Sequence, residues 1–118
     1  MEQYNWIKIA AHPKNGDPII APNTIARLTV KGKKMFLTYK NGQYYAGDSR
    51  CPHAGGALTN GWLNNDGDIV CPNHRYCFDL STGKNTSGEG YYLPTYPVEN
   101  RADGLYVGFV IAKKWWPW

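Results

Sequence analysis

The chain has 118 residues, 42% of them hydrophobic, and a formal net charge of +4. That length suits one domain over residues 1–118 with a modest core, and no run of 18 or more apolar residues is present, so a membrane-spanning helix is excluded. The positive charge is scattered and no nucleic-acid motif accompanies it, so nucleic-acid binding is not expected; three cysteines argue against a disulfide framework and for metal ligation or free thiols.

The N-terminus, Met1-Glu2-Gln3-Tyr4-Asn5, lacks a basic region followed by an apolar run. No secretory signal is therefore expected, and the cytoplasm is the default compartment. His12 sits in the polar stretch Ala11-His12-Pro13-Lys14 and reads as a surface residue. Strands then alternate with turn signals. Lys31-Gly32 separates residues 26–30 from 35–39, and Asn41-Gly42 separates these from Gln43-Tyr44-Tyr45-Ala46. Asp66-Gly67 precedes Ile69-Val70, and Asp103-Gly104 precedes the run 105–111. Asn-Gly and Asp-Gly supply the positive φ angles of two-residue hairpin turns.

Two runs alternate cleanly. Ala26, Leu28 and Val30 share one face of the first, and Leu105, Val107, Phe109 and Ile111 share one face of the last. No window shows a helical period, and Pro18, Pro22, Pro94 and Pro97 interrupt any that might start. The expected fold is all-β: an antiparallel barrel or sandwich of roughly eight to ten short strands. Residues 48–90 stand apart as a loop-rich insert with few alternating apolar positions. Such a segment is expected to bury little apolar area, so a metal centre is expected to organise it.

The chemistry lies in Cys51-Pro52-His53 and, after seventeen intervening residues, Cys71-Pro72-Asn73-His74. Each half offers one thiolate and one imidazole on a tight loop. Two Cys and two His would also serve a tetrahedral zinc. Zinc pairs usually leave at least two residues between ligands, whereas only Pro52 separates Cys51 from His53. That spacing suits two metal atoms better, with the thiolate going to one and the imidazole to the other. Gly55 and Gly56 are expected to let backbone amides approach such a centre closely.

Cys51-Pro-His-Ala-Gly-Gly-Ala-Leu and Cys71-Pro-Asn-His-Arg-Tyr-Cys-Phe-Asp-Leu-Ser-Thr-Gly resemble the two cluster-binding boxes of the Rieske family. The likeness is strongest to the soluble ferredoxins that serve oxygenases. It extends to Gly42-Gln43-Tyr44-Tyr45-Ala46 before the first box and Leu93-Pro94-Thr95-Tyr96-Pro97-Val98 after the second. The resemblance implies a β base carrying a smaller cluster-binding subdomain. It also implies a [2Fe–2S] cluster held by Cys51 and Cys71 on the inner iron and by His53 and His74 on the outer iron. The function so implied is one-electron transport between a reductase and an oxygenase, an oxidoreductase component rather than a catalyst. An alternative on the same fold is a small non-catalytic subunit of a larger reductase, such as a nitrite reductase. The catalytic domain of a hydroxylating oxygenase does not fit within 118 residues.

Two departures from the respiratory branch of that family matter. Its inter-loop disulfide would fall at Gly56 and Asn73, so that bridge is missing here. Its hydroxyl donors to the cluster sulfurs would fall at Tyr76 and Phe78. Phe78 donates nothing, and Tyr76 is too long to stand in for a serine. Rieske centres span roughly −150 to +300 mV, and the lower half is expected. The potential is expected to fall at alkaline pH as the imidazoles lose protons.

The expected electron port is the edge of His53 and His74, rimmed by Pro52, Ala54, Asn73, Arg75 and part of the 94–97 loop. Arg75 reads either as a steering charge for an acidic partner or as a solvated side chain. After His74, alternation sets Arg75, Cys77 and Asp79 on one face and Tyr76, Phe78 and Leu80 on the other. Cys77 then fills a partly buried strand position, a reading preferred over a redox-sensitive thiol. The tail Lys113-Lys114-Trp115-Trp116-Pro117-Trp118 either packs on the barrel or forms a docking patch.

Overall fold

The computed structural model describes residues 3–52 and 56–111. The base consists of two antiparallel sheets. In one, β1 (Tyr4–Ala10) pairs with β10 (Gly104–Val110), which pairs with β9 (Val98–Arg101). In the other, β2 (Ile25–Val30), β3 (Lys33–Lys40), β4 (Gln43–Asp48) and β8 (Thr95–Tyr96) follow in that order. A third sheet lies within the insert and contains β5 (Trp62–Leu63), β6 (Ile69–Val70) and β7 (Cys77–Phe78). A single 3-10 turn at Leu58–Asn60 precedes β5. Among the described residues no helix is long and apolar enough to cross a membrane.

The first two turn signals behave as their chemistry requires. Lys31 and Gly32 have φ of 51° and 78°, and Asn41 and Gly42 have 51° and 80°, the paired left-handed geometry whose twist matches that of hairpin strands. The other two differ. At β5–β6 the Asn64 side chain accepts the N–H groups of Asp66 and Asp68, so the connection is a longer loop in which only Gly67 needs positive φ. At β9–β10 the turn falls on Ala102 and Asp103, and Gly104 opens the strand opposite Arg101. A side chain at Gly104 would collide with the Ala10 carbonyl, 2.1 Å from where its Cβ would stand. Its glycine thus serves strand packing as well as conformation.

The expected face of β10 is found for Leu105, Val107 and Phe109, but Ile111 lies past the strand end and is exposed. Leu105 and Val107 join Val30, Met35, Leu37 and Ala46 in the core of the base.

A second core forms beneath the insert, from Phe36, Cys51, Leu58, Ile69, Cys71, Phe78, Leu80 and Leu93. This corrects the expectation that residues 48–90 bury little apolar area. Fully burying a Leu, Ile or Phe side chain stabilises by roughly 1.5–3 kcal/mol, and five of these residues come from the insert and its return at Leu93. Both cores meet on β3. Met35 and Leu37 point to one and Phe36 to the other, so all four residues from Met35 to Thr38 are buried. In sequence this is a plain apolar run, and its two-sided role emerges only once a layer covers each face.

Candidate metal centre

The two Cys-Pro boxes are closed in the same way at their described ends. Arg50 pairs with Ala57 at the root of the first, and Val70 pairs with Cys77 at the root of the second. Each root encloses six residues, 51–56 and 71–76. Within each, the cysteine N–H donates to the carbonyl five residues on: Cys51 to Gly56 at 2.7 Å and Cys71 to Tyr76 at 2.8 Å. The same closure at both loops sets each cysteine at the bottom of its loop, where it is fully buried.

The two thiols, twenty residues apart in sequence, come together in the core beneath the insert. Burial and the neighbouring Cys51 thiol push the Cys71 thiol up to about 11, against a smaller opposing pull from the Asn73 N–H. A pair of thiols in apolar surroundings ionises only if a cation compensates the charge. The donor set therefore fits a positively charged metal core.

The second loop is under backbone strain. His74 and Arg75 are consecutive left-handed residues, with φ of 65° and 59°. Non-glycine residues adopt this region at a cost of roughly 1–2 kcal/mol each, so the reversal is held by its surroundings. It delivers the His74 side chain to the exposed surface above the buried Cys71. Asn73 and Arg75 are exposed beside it, and Pro52 is half-buried in the other loop. His53, Ala54 and Gly55 lie outside the described residues, as do Lys113, Lys114 and the tail tryptophans. Among the described residues no three His, Cys, Asp or Glu side chains surround a single ion. A two-metal core with one thiolate pair and one imidazole pair does not require that they should.

Gly56 and Asn73 face each other across the loops. A Cβ at Gly56 would stand 2.5 Å from the Asn73 amide nitrogen and 3.7 Å from its Cβ. Cys77 occupies β7 and is half-buried; its sulfur receives the Asn64 amide at 3.9 Å and lies 3.5 Å from the Arg75 carbonyl. His12 is exposed and bonded to the Arg101 carbonyl, far from the loops in sequence.

The stretch 94–97 departs from the expected rim. Thr95 and Tyr96 form β8 against β4, and the Tyr96 hydroxyl donates to Asp48 and receives Lys33. Tyr96 also packs against Phe109, so this segment belongs to the base. The aromatic contact near His74 comes from elsewhere. Tyr76 lies 6.2 Å from the His74 ring and stacks on Tyr91 at 5.9 Å. Tyr91 ends a polar loop that residues 85–90 form around Asn85. Sequence reading overlooked this loop; its one signal was the turn-rich run Asn85-Thr86-Ser87-Gly88-Glu89-Gly90.

The family model of the Rieske [2Fe-2S] domain matches residues 12–97. The chain is 33% identical over 81 residues to the ferredoxin component of the naphthalene 1,2-dioxygenase system of Pseudomonas putida, covering 68% of this chain and 77% of that protein. It is 32% identical over 87 residues to the 3-phenylpropionate/cinnamic acid dioxygenase ferredoxin subunit of Photorhabdus laumondii, covering 73% and 83%. Among solved structures it matches a chain of the complex of reduced oxygenase and oxidized ferredoxin in carbazole 1,9a-dioxygenase. There the TM-score is 0.71 at 28% identity, with 86% of this chain and 99% of that chain covered. A putative NADH-dependent nitrite reductase small subunit from Mycobacterium tuberculosis shares the fold, with a TM-score of 0.79 at 17% identity over 93% and 99% of the two chains. With twin loops, a buried thiol pair and a family match over most of its length, the chain belongs to the Rieske [2Fe–2S] family and has a [2Fe–2S] cluster as its cofactor.

Proposed function

We propose that this protein is a ferredoxin that carries single electrons from a reductase to an oxygenase. The observation behind this reading is the matched pair of six-residue loops, each closed by its own cysteine N–H over a buried thiol. Cys51 and Cys71 provide thiolates to the inner iron, and His53 and His74 provide imidazoles to the outer one. When bound, the cluster supplies a one-electron couple. The chain's own part is to bury the sulfur ligands in apolar surroundings, exclude water from that side, and hold His74 at the surface as the port. Arg75, exposed beside it, gives the port a positive charge that suits an acidic partner surface.

The naming of the relatives as ferredoxin components and subunits of dioxygenase systems supports the partner class. The nitrite reductase likeness is one of fold, at 17% identity, and favours no second reading. The unit acts as a single Rieske domain over residues 1–118, its ligand-bearing part spanning approximately 48–90, and it works in the cytoplasm.

The test is iron, sulfide and zinc analysis of the purified protein, followed by redox titration and single-turnover reduction of an oxygenase. Equal iron and sulfide with a potential in the lower half of the roughly −150 to +300 mV range supports the proposal. A colourless zinc protein, or one whose reduced form passes no electron to any oxygenase, overturns it.

A further inference from the structure

Asn85 is 8% exposed, and its side chain is bonded on every side. Its two amide N–H donors have three acceptors within reach: the Cys77 carbonyl at 2.9 Å, the Glu89 carboxylate at 2.9 Å and, further off, the Ser87 hydroxyl at 3.1 Å. Its carbonyl oxygen accepts the N–H groups of Glu89 and, at 2.8 Å, Gly90. A buried amide with this many partners fixes whatever it joins, because each lost bond would leave a polar group without water.

What it joins is the root of the second ligand loop and the loop that ends in Tyr91. Cys77 closes the loop 71–76, and the 85–90 segment grips both its N–H and its carbonyl along the edge away from β6. The Cys77 N–H donates to the Ser87 hydroxyl at 2.9 Å, and the Cys77 carbonyl accepts the Thr86 N–H at 2.8 Å. The Thr86 hydroxyl adds a tie to Asp68 at 2.8 Å, just before the central strand of the small sheet. The same segment then presents Tyr91 to Tyr76, with rings 5.9 Å apart and 29° from parallel, and Tyr76 lies 6.2 Å from His74. Both separations fall in the range over which aromatic rings interact favourably. A continuous path of contacts therefore runs from Asn85 through the loop to Tyr91, Tyr76 and the strained residue His74.

We infer that Asn85 is a positioning residue for the imidazole of His74, acting through the Tyr91–Tyr76 stack. This rests on the proposal that His74 is a ligand. The left-handed pair His74–Arg75 needs outside support, and this stack supplies some of it on the ring side of the loop. The loop's polarity has a matching reason: it needs hydrogen-bonding groups to grip Cys77, so it lacks the apolar periodicity that marks a core element.

The experiment compares Asn85→Ala, Tyr91→Ala, their double variant and Tyr91→Phe in the iron-loaded full chain. It measures reduction potential and the histidine-nitrogen couplings in the electron paramagnetic resonance of the reduced form, alongside melting temperature. Asn85→Ala and Tyr91→Ala are expected to shift the potential in the same direction and to alter those couplings. The double variant is expected to go no further than the larger single change, because both act along one path. Tyr91→Phe keeps the stacked ring and is expected to shift the potential less than Tyr91→Ala does. Unchanged potential and couplings in Asn85→Ala, whatever its melting temperature, overturn the inference, as do shifts that add in full. Should Asn85→Ala lose its iron, Ser87→Ala removes only the hydroxyl facing the Cys77 N–H, and its potential and couplings decide in the same way. Absence of iron from the unaltered protein would instead sink the ligand assignment.

Discussion

The two ligand loops share a length and a closing hydrogen bond, yet they are rooted differently. Among the described residues, the first springs from the Arg50–Ala57 bridge and runs straight into the Leu58–Asn60 turn, with Leu58 anchoring it in the apolar core. The second rises from a three-stranded sheet, carries two left-handed residues, and is clasped by the 85–90 loop. One loop is positioned by burial of a side chain, the other by a polar network. Equal loops at the cofactor do not require equal supports, because the chain has only to deliver the same donor geometry from each side.

The largest effect should come from the feature the loops share. Cys51→Ser and Cys71→Ser are each expected to reduce iron and sulfide to background, while circular dichroism keeps the strand signal, since the apolar residues of the core remain. If either variant retained a full complement of iron, the two loops would not be equivalent at their buried ends.

Next comes the seam between them. The Gly61 N–H closes the turn that follows the first loop, donating to the Leu58 carbonyl. A Cβ at Gly61 would stand 1.8 Å from the Val70 carbonyl oxygen, just before the second loop. Gly61→Ala therefore forces the roots apart and is expected to cost about 3 kcal/mol in denaturant unfolding, with weaker iron retention. A stability within about 0.5 kcal/mol of the unaltered protein would mean that the roots move independently.

A smaller effect of opposite sign should follow from tying the loops together. The 3.7 Å between a Cβ at position 56 and that of Asn73 lies within the roughly 3.5–4.5 Å range of disulfides. Gly56→Cys combined with Asn73→Cys is expected to oxidise in air to a bridge, visible as an intact-mass change, and to raise the melting temperature. Two thiols that stay free under oxidant would show the loops held further apart.

The smallest effect concerns Asp79, just beyond the second loop. The Ser81 hydroxyl, and after it the N–H groups of Thr82 and Ser81, hold its carboxyl below the ordinary 3.8 despite the opposing effect of burial. A carboxyl lowered in the folded state stabilises above its unfolded value, and that contribution fades as pH falls through the folded one. Asp79→Asn is expected to flatten the stability profile below about pH 4 and to leave the neutral region nearly level. An unchanged acid limb would assign that pH dependence to other carboxyls.

The contrast between the loops also explains what could be seen in the sequence. Cys51-Pro52-His53 and Cys71-Pro72-Asn73-His74 are legible because ligand chemistry needs specific residue types at short spacing. The hairpins at Lys31-Gly32 and Asn41-Gly42 are legible because two successive left-handed residues narrow the choice of side chain. The Asp103-Gly104 turn is displaced by one residue because Gly104 is demanded by the Ala10 carbonyl as well. The support of the first loop can be guessed from Leu58, but that of the second cannot be guessed from any apolar pattern. Asn85 works by satisfying backbone groups that come together only after folding, and the pairing of Thr95 and Tyr96 with β4 likewise leaves no local mark in the sequence.

The alternation of Met35, Phe36 and Leu37 on β3 gives the base and the ligand-bearing part a common partition wall. Neither compartment can be emptied of its side chains without loosening the other's boundary. A chain trimmed to the two boxes and their small sheet would lose Phe36 and leave an oily underside open to water. The redox unit is thus not portable by itself, and any attempt to transplant it into another scaffold must carry that shared strand along.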